Sequence, residues 1–224
     1  MTERVILITG ATGALGKLAA QTFASRGDSL ALLSRDQTEL DSLSRDLNLP
    51  SERLLTRVVD LLDSQSLRDS AAAVEARFGR VHALIHLVGG WTGGKTISET
   101  SVNDFASMLN QHAWTTFHLF QSFVPQLIAI GWGRVITFSL PLTVHPQPKM
   151  SAHAAGKAAQ EALMMTLAEE TRGTGVTANI IHVDSIDAKG TGKGTSPKEI
   201  VAKMENLFSE EASDVTGTRI ALYK

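Results

Sequence analysis

Cysteine is absent from this chain of 224 residues, which excludes a disulfide framework, a thiolate nucleophile and any Cys-ligated metal centre. An excess of one charge is absent too. Twenty-one basic against 23 acidic residues leave a formal charge of -2, so no global field draws the chain to nucleic acid or to an anionic membrane, and the expected partner is a small molecule. The apolar stretch at residues 5–9 is too short and wrongly flanked for a signal peptide, and the expectation is a soluble, cytoplasmic protein. Tyrosine occurs once, at Tyr223, which leaves the middle of the chain without a phenol.

What is present is alternation. Runs at 5–8, 30–33, 54–59, 83–88, 135–138, 178–183 and 220–222 are short and continuously apolar, as in strands buried on both faces. Between them, 15–26, 38–47, 66–78, 102–130, 151–172 and 197–207 have helical length. Strand alternating with helix means right-handed crossovers, so the expected fold is α/β, a Rossmann-type doubly wound parallel sheet of about seven strands. With 43% hydrophobic residues and no repeat, low-complexity tract or Pro/Ser linker, residues 1–224 are read as a single domain. The segment at about 184–208 is read as the substrate loop. Its least patterned part carries Lys189-Gly190-Thr191-Gly192-Lys193-Gly194.

The first chemical signal is Thr9-Gly10-Ala11-Thr12-Gly13-Ala14-Leu15-Gly16, after the first strand and opening the first helix. Glycines at 10, 13 and 16 let the backbone turn sharply, approach a pyrophosphate and pack helix on strand, while the helix N-terminus supplies amide donors. In that context the motif points to a dinucleotide. A competing string, Gly89-Gly90-Trp91-Thr92-Gly93-Gly94-Lys95-Thr96, matches Walker A letter for letter. A P-loop helix begins at its Gly-Lys-Thr, whereas here the capping pair Ser101 and Asp104 and the apolar periodicity from Val102 place the helix later. No Walker B aspartate follows at 135–139. The segment is therefore expected to be a glycine-rich active-site loop.

Together these residues resemble the short-chain dehydrogenase/reductase superfamily over essentially the full chain. The glycine motif is the variant with Gly10, Gly13 and Gly16. Asp60-Leu61 stands after the third strand, where the family places an aspartate on the adenine, and Leu84-Ile85-His86-Leu87-Val88-Gly89 replaces its Asn-Asn-Ala-Gly motif. Asn110 matches the helix asparagine that holds a water beside the active-site lysine. Gly133-Arg134-Val135-Ile136 leads into the fifth strand, and Lys157 matches the lysine of Tyr-x-x-x-Lys. The resemblance implies cofactor contacts from Gly10, Thr12, Gly13, Leu15, Gly16, Ser34, Arg35, Asp60, Leu61, Val88, Gly89, Lys157 and Ile186, and a catalytic set of His153, Lys157 and Asn110.

Three departures bear on the chemistry. The family serine falls at Leu140, with Ser139 one residue early; the tyrosine position is His153; and the Pro-Gly after the sixth strand is Val183-Asp184. The segments 89–94 and 185–188 look most like the dihydropteridine-reductase branch, which also lacks the serine but keeps the tyrosine. Carbonyl reduction needs a proton for the developing alkoxide. His153 keeps the i,i+4 relation to Lys157, and imidazole titrates near neutral pH. It reaches less far than a phenol, however, and the lysine cation disfavours imidazolium. His153 is thus either an acid or substrate hydrogen-bond partner, or a helix residue left after the tyrosine was lost, and Leu140 offers no oxyanion donor.

His86 and His182 are expected at the carboxyl ends of neighbouring strands, with His112 and His145 around the crevice, as hydrogen-bonding pocket residues. No His-x-x-x-His spacing supports a metal. Trp91 is read as a cover over a planar substrate in the pocket or as a cap on the apolar loop, with the pocket role favoured by its place beyond strand four. At the end of the second strand Ser34-Arg35 stands where NAD-preferring relatives place an acid, so NADP(H) is preferred over NAD(H) despite Asp36. The reading is an NADP(H)-dependent oxidoreductase for a small carbonyl- or imine-like substrate, or alternatively a catalytically impaired NAD(P)H-binding protein with a regulatory or scaffold role. A homodimer or homotetramer through the helices at 102–130 and 152–168 is expected.

Overall fold

A computed structural model describes residues 3–223. Its strands are β1 (Val5–Thr9), β2 (Ser29–Ser34), β3 (Leu54–Val58), β4 (Ala83–His86), β5 (Gly133–Ser139), β6 (Val176–His182) and β7 (Thr218–Ala221). They form one sheet in the order β3-β2-β1-β4-β5-β6-β7, and every neighbouring pair is parallel. The expected α/β doubly wound sheet is thus observed. Side chains alternate across a strand, so Ile6 and Ile8 enter one core with Leu30, Leu32 and Phe23, while Leu7 enters the other with Leu33, Phe123 and Leu127. Burial on both faces explains why β1 reads as an unbroken apolar run. Each fully buried side chain of this kind contributes about 1.5–3 kcal/mol.

Helices α1 (Ala14–Ser25), α2 (Gln37–Leu47) and α7 (Pro197–Asn206) cover the first face, and α3 (Ser64–Phe78), α5 (Thr115–Ile130) and α6 (Ser151–Glu170) the second. The connection from β1 to β2 runs to one side of β1, and β4 lies on its other side. That reversal opens a crevice beyond the strands' carboxyl ends.

The expected single helix at 102–130 is interrupted. Helix α4 (Val102–Leu109) passes into a π turn at Asn110–Trp114 before α5 begins. The wider turn displaces carbonyls, and Thr115 Oγ1 donates to Gln111 O at 2.8 Å and Thr116 Oγ1 to His112 O at 2.6 Å. Opposite the turn, a Cβ on Gly156 of α6 would lie 2.6 Å from Met108 O, so the two helices approach closely only because that residue is glycine. β4 also stops at His86, two residues before the apolar run ends, and frees Leu87 to Gly94 for the site.

Candidate active site

The β1–α1 turn has the shape a pyrophosphate needs. Gly10 has φ +67°, and a Cβ there would meet the Leu87 and Val88 backbone at 3.1 Å; one on Gly16 would lie 2.3 Å from Gly10 O. Gly13 caps α1 without a side-chain hydrogen bond, and the first turn carries no acidic residue, which leaves helix amides and positive dipole for an anion. A cavity of about 400 Å³ opens on this turn, lined by Gly10, Thr12 and Gly13, by Ser34 and Arg35, by Asp60 and Leu61, and by Val88 and Gly89. These backbone cradles and donors fit a dinucleotide. The Leu15 side chain packs into the core, leaving only its backbone for a ligand. Thr12 and Ser34 share a hydrogen bond of 2.9 Å. Asp36 caps α2, accepting from Glu39 N at 3.0 Å. Gln111 and Thr115 also line this cavity; the sequence offered no sign of them, because the π turn that aims them is not visible in apolar periodicity.

A second cavity of about 630 Å³ adjoins the first through Leu87, Val88 and Gly89, and is walled by residues beyond β4, β5 and β6 and by α6. His153 and Lys157 line it together with His86, His112, Leu140 and Ile186. Trp91 stands at its rim, 65% exposed. Lys157 is buried, and its Nζ donates to Phe138 O at 2.7 Å and Gln160 Oε1 at 3.0 Å. Burial lowers the ammonium to about 8, with Glu161 pulling it back up.

His153 is 4% exposed and its Nδ1 has no hydrogen-bond partner among the described residues. Burial, then the Lys157 cation, pushes it to about 4, against a smaller upward pull from the Gly90 carbonyl. The His153 ring meets that of His112 edge-on, with centroids 5.3 Å apart. His112 Nε2 donates to Gly90 O at 3.1 Å, which places its proton on Nε2. Burial, Lys157 and His153 hold it near 3. His86 shares a 2.7 Å hydrogen bond with Thr9 Oγ1 and is held near 3 by burial and Lys157. Three imidazoles around one ammonium are therefore uncharged at neutral pH.

Other expected residues lie elsewhere. Asn110 opens the π turn half-buried and lines neither cavity. Two residues on, the turn directs His112 to the lysine instead: a Cβ on Gly89 would lie 3.0 Å from His112 Cε1 and 3.9 Å from Lys157 Nζ. His182 does not line the cavity; its Nε2 pairs with Glu161 at 2.9 Å. His145 is exposed outside it. Ser139, by contrast, does line the cavity, from the buried end of β5, where it is paired in register with His182. Among the described residues no group of three or more His, Asp or Glu side chains is arranged to hold a metal. The Walker-like string is a loop whose Lys95 pairs with Asp104 at 2.9 Å; only a single 3-10 turn at Ile97–Glu99, capped by Thr96, follows it, and α4 begins later, at Ser101, which accepts from Asp104 N at 3.0 Å. No helix is long and apolar enough to cross a membrane among the described residues.

A family model described as short chain dehydrogenase matches residues 4–198. The chain is 29% identical over 188 residues to the (2S)-[(R)-hydroxy(phenyl)methyl]succinyl-CoA dehydrogenase subunit BbsC of Thauera aromatica, spanning 84% of this chain and 74% of that one. It is 23% identical over 236 residues to the 3-oxoacyl-[acyl-carrier-protein] reductase FabG of Thermotoga maritima, spanning 98% and 96%. A short-chain type dehydrogenase/reductase from Mycobacterium ulcerans superposes with a TM-score of 0.91 at 20% identity, over 100% of this chain and 89% of that one.

Proposed function

The chain belongs to the short chain dehydrogenase family of oxidoreductases, whose members bind nicotinamide cofactors, and we propose that it uses NADP(H) to reduce a small carbonyl- or imine-like substrate at His153 and Lys157. The observation that carries this reading is the continuity of the glycine cradle with the His153–Lys157 cavity through Leu87, Val88 and Gly89. Preference for the 2′-phosphate rests on the second strand's end. Asp36, the carboxylate next to Arg35, is turned to cap α2, accepting from Glu39 N, and Arg35 stays exposed on the cavity wall.

A bound nicotinamide supplies the hydride. The protein's own residues handle position and charge. Leu140 offers no hydrogen bond to a developing oxyanion, so its stabilisation falls to the Lys157 ammonium and to a neutral His153 hydrogen bond. With His153 near 4 and Lys157 near 8, the proton available at neutral pH sits on Lys157 Nζ, and His153 acts as the substrate's hydrogen-bond partner or relay rather than as an imidazolium acid. His112, not Asn110, is the helix residue placed beside that lysine. The same neutral His153 and apolar Leu140 favour the second reading, a cofactor-binding protein without turnover. NADPH consumption across ketones, quinones, imines and pterins separates the two: turnover abolished by His153→Phe supports the enzyme, and firm NADPH binding with no turnover anywhere supports the binder.

Helices α5 and α6 leave an apolar groove of about 620 Å³ lined by Phe117, Phe120, Val124, Ile128, Leu163 and Leu167, which supports assembly with a second copy as a homodimer or homotetramer.

A further inference from the structure

Glu161 has no place in the family motifs, yet it is a buried carboxylate that accepts three side-chain hydrogen bonds near the site. It lies four residues after Lys157 on α6, hence on the same helix face one turn on, and its side chain is 2% exposed. One oxygen accepts from Thr143 Oγ1 at 2.7 Å and His182 Nε2 at 2.9 Å, and the other from Arg219 Nε at 2.6 Å. Thr143 belongs to the turn after β5 that begins at Leu140, and His182 directly precedes the cavity-lining segment 183–186. A buried ion pair stabilises a fold poorly compared with apolar packing, so the charge itself calls for a role.

The other charged and titratable groups facing Lys157 are His86 from β4, His112 from the π turn, His153 on α6 and Asp184 after β6. The three imidazoles are neutral near pH 7 and Asp184 is exposed at the rim. Burial works to raise Glu161, but the hydrogen bonds from His182, Arg219 and Thr143 outweigh it and hold the carboxyl at about 2. Glu161 is therefore a buried anion on the same face of α6 as Lys157, one helical turn away. We propose that Glu161 is a positioning residue whose fixed negative charge keeps the Lys157 ammonium protonated for cofactor binding. This rests on the reading of Lys157 as the cofactor-binding lysine.

The test is an NMR titration of the Lys157 Cε signal in ¹³C-lysine-labelled protein without cofactor, in parallel with NADPH affinity against pH. The unaltered protein should titrate at about 8, and Glu161→Gln should lower that midpoint by about one to two pH units, since one buried unit charge a turn away is lost. Glu161→Asp should restore most of it. Arg219→Met, which breaks the same network but keeps the carboxylate, should leave the midpoint unchanged or higher. NADPH affinity in Glu161→Gln should fall off at correspondingly lower pH. An unmoved midpoint in Glu161→Gln, or an equal fall in Arg219→Met, overturns the proposal. If Glu161→Gln does not fold, Arg219→Met decides alone: a fall in its Lys157 midpoint overturns the proposal, and a held or raised one supports it. Failure of the unaltered protein to bind NADPH would instead defeat the functional reading, while the cofactor-free titration still judges Glu161.

Discussion

At the scale of the residue, the site is governed by which groups carry charge. His153 and Lys157 keep the spacing of an acid and its lysine, but burial reverses the expectation that an imidazole here works near its ordinary pKa: it is neutral, and the lysine is the group that titrates near physiological pH. His153→Phe should lower kcat by about 10²–10⁴-fold with NADPH affinity nearly unchanged, whereas Lys157→Ala should damage both. Steady-state kinetics beside cofactor titration checks the split, and an unaffected His153→Phe would move the substrate contact elsewhere. For the unaltered protein, cofactor affinity should decline as pH rises through about 8, where Lys157 loses its charge.

The buried imidazoles also make stability depend on pH. Unfolded, they bind protons near 6.5; folded, His86 and His112 do so only near 3 and His153 near 4. The unfolded chain binds more protons below 6.5, so stability is full above that value and falls on acidification towards about 3. Urea unfolding at pH 7.5 and pH 5, about one unit above and well below the imidazole range, should show a lower midpoint in acid. His153→Phe should weaken that difference, and equal midpoints would contradict the burial argument.

Among the elements, what was legible in the sequence was what local chemistry dictates. The glycines at 10, 13 and 16 are required by backbone approach, and the observed turn uses them that way; the late start of α4 followed from Ser101 and Asp104, whose cap is formed. The π turn was not legible. It inserts without disturbing apolar content, shifts the inward face within α4–α5, and so brings His112 rather than Asn110 to the lysine. Glu161 was hidden for a related reason, since its partners come from β6, β7 and the turn after β5, separations that no local pattern encodes. The α4–α6 contact gives a test. Gly156→Ala places a methyl 2.6 Å from Met108 O and 3.0 Å from the His112 ring, and should cost about 1–3 kcal/mol, a fall in Tm of about 2–4 °C per kcal/mol. Calorimetry reads it, and an unchanged Tm would mean that the helices separate freely.

For the whole molecule, strand order places both cavities at one end of the sheet, at the reversal beside β1, while the α5–α6 groove lies on a flank. Assembly and chemistry are thereby separable: Phe117→Glu or Ile128→Glu, both exposed on that groove, should yield monomers by sedimentation while NADPH still binds, and loss of binding in a folded monomer would contradict that separation.

The proposed activity depends on an NADP(H) site that opens onto the His153–Lys157 cavity. Its most direct test is a calorimetric titration of the protein with NADPH and with NADH, repeated for Arg35→Ala. NADPH should bind more tightly than NADH, and Arg35→Ala should remove most of the difference, because the guanidinium would pair with the 2′-phosphate. Equal affinities in the unaltered protein, or a preference that survives Arg35→Ala intact, would contradict it.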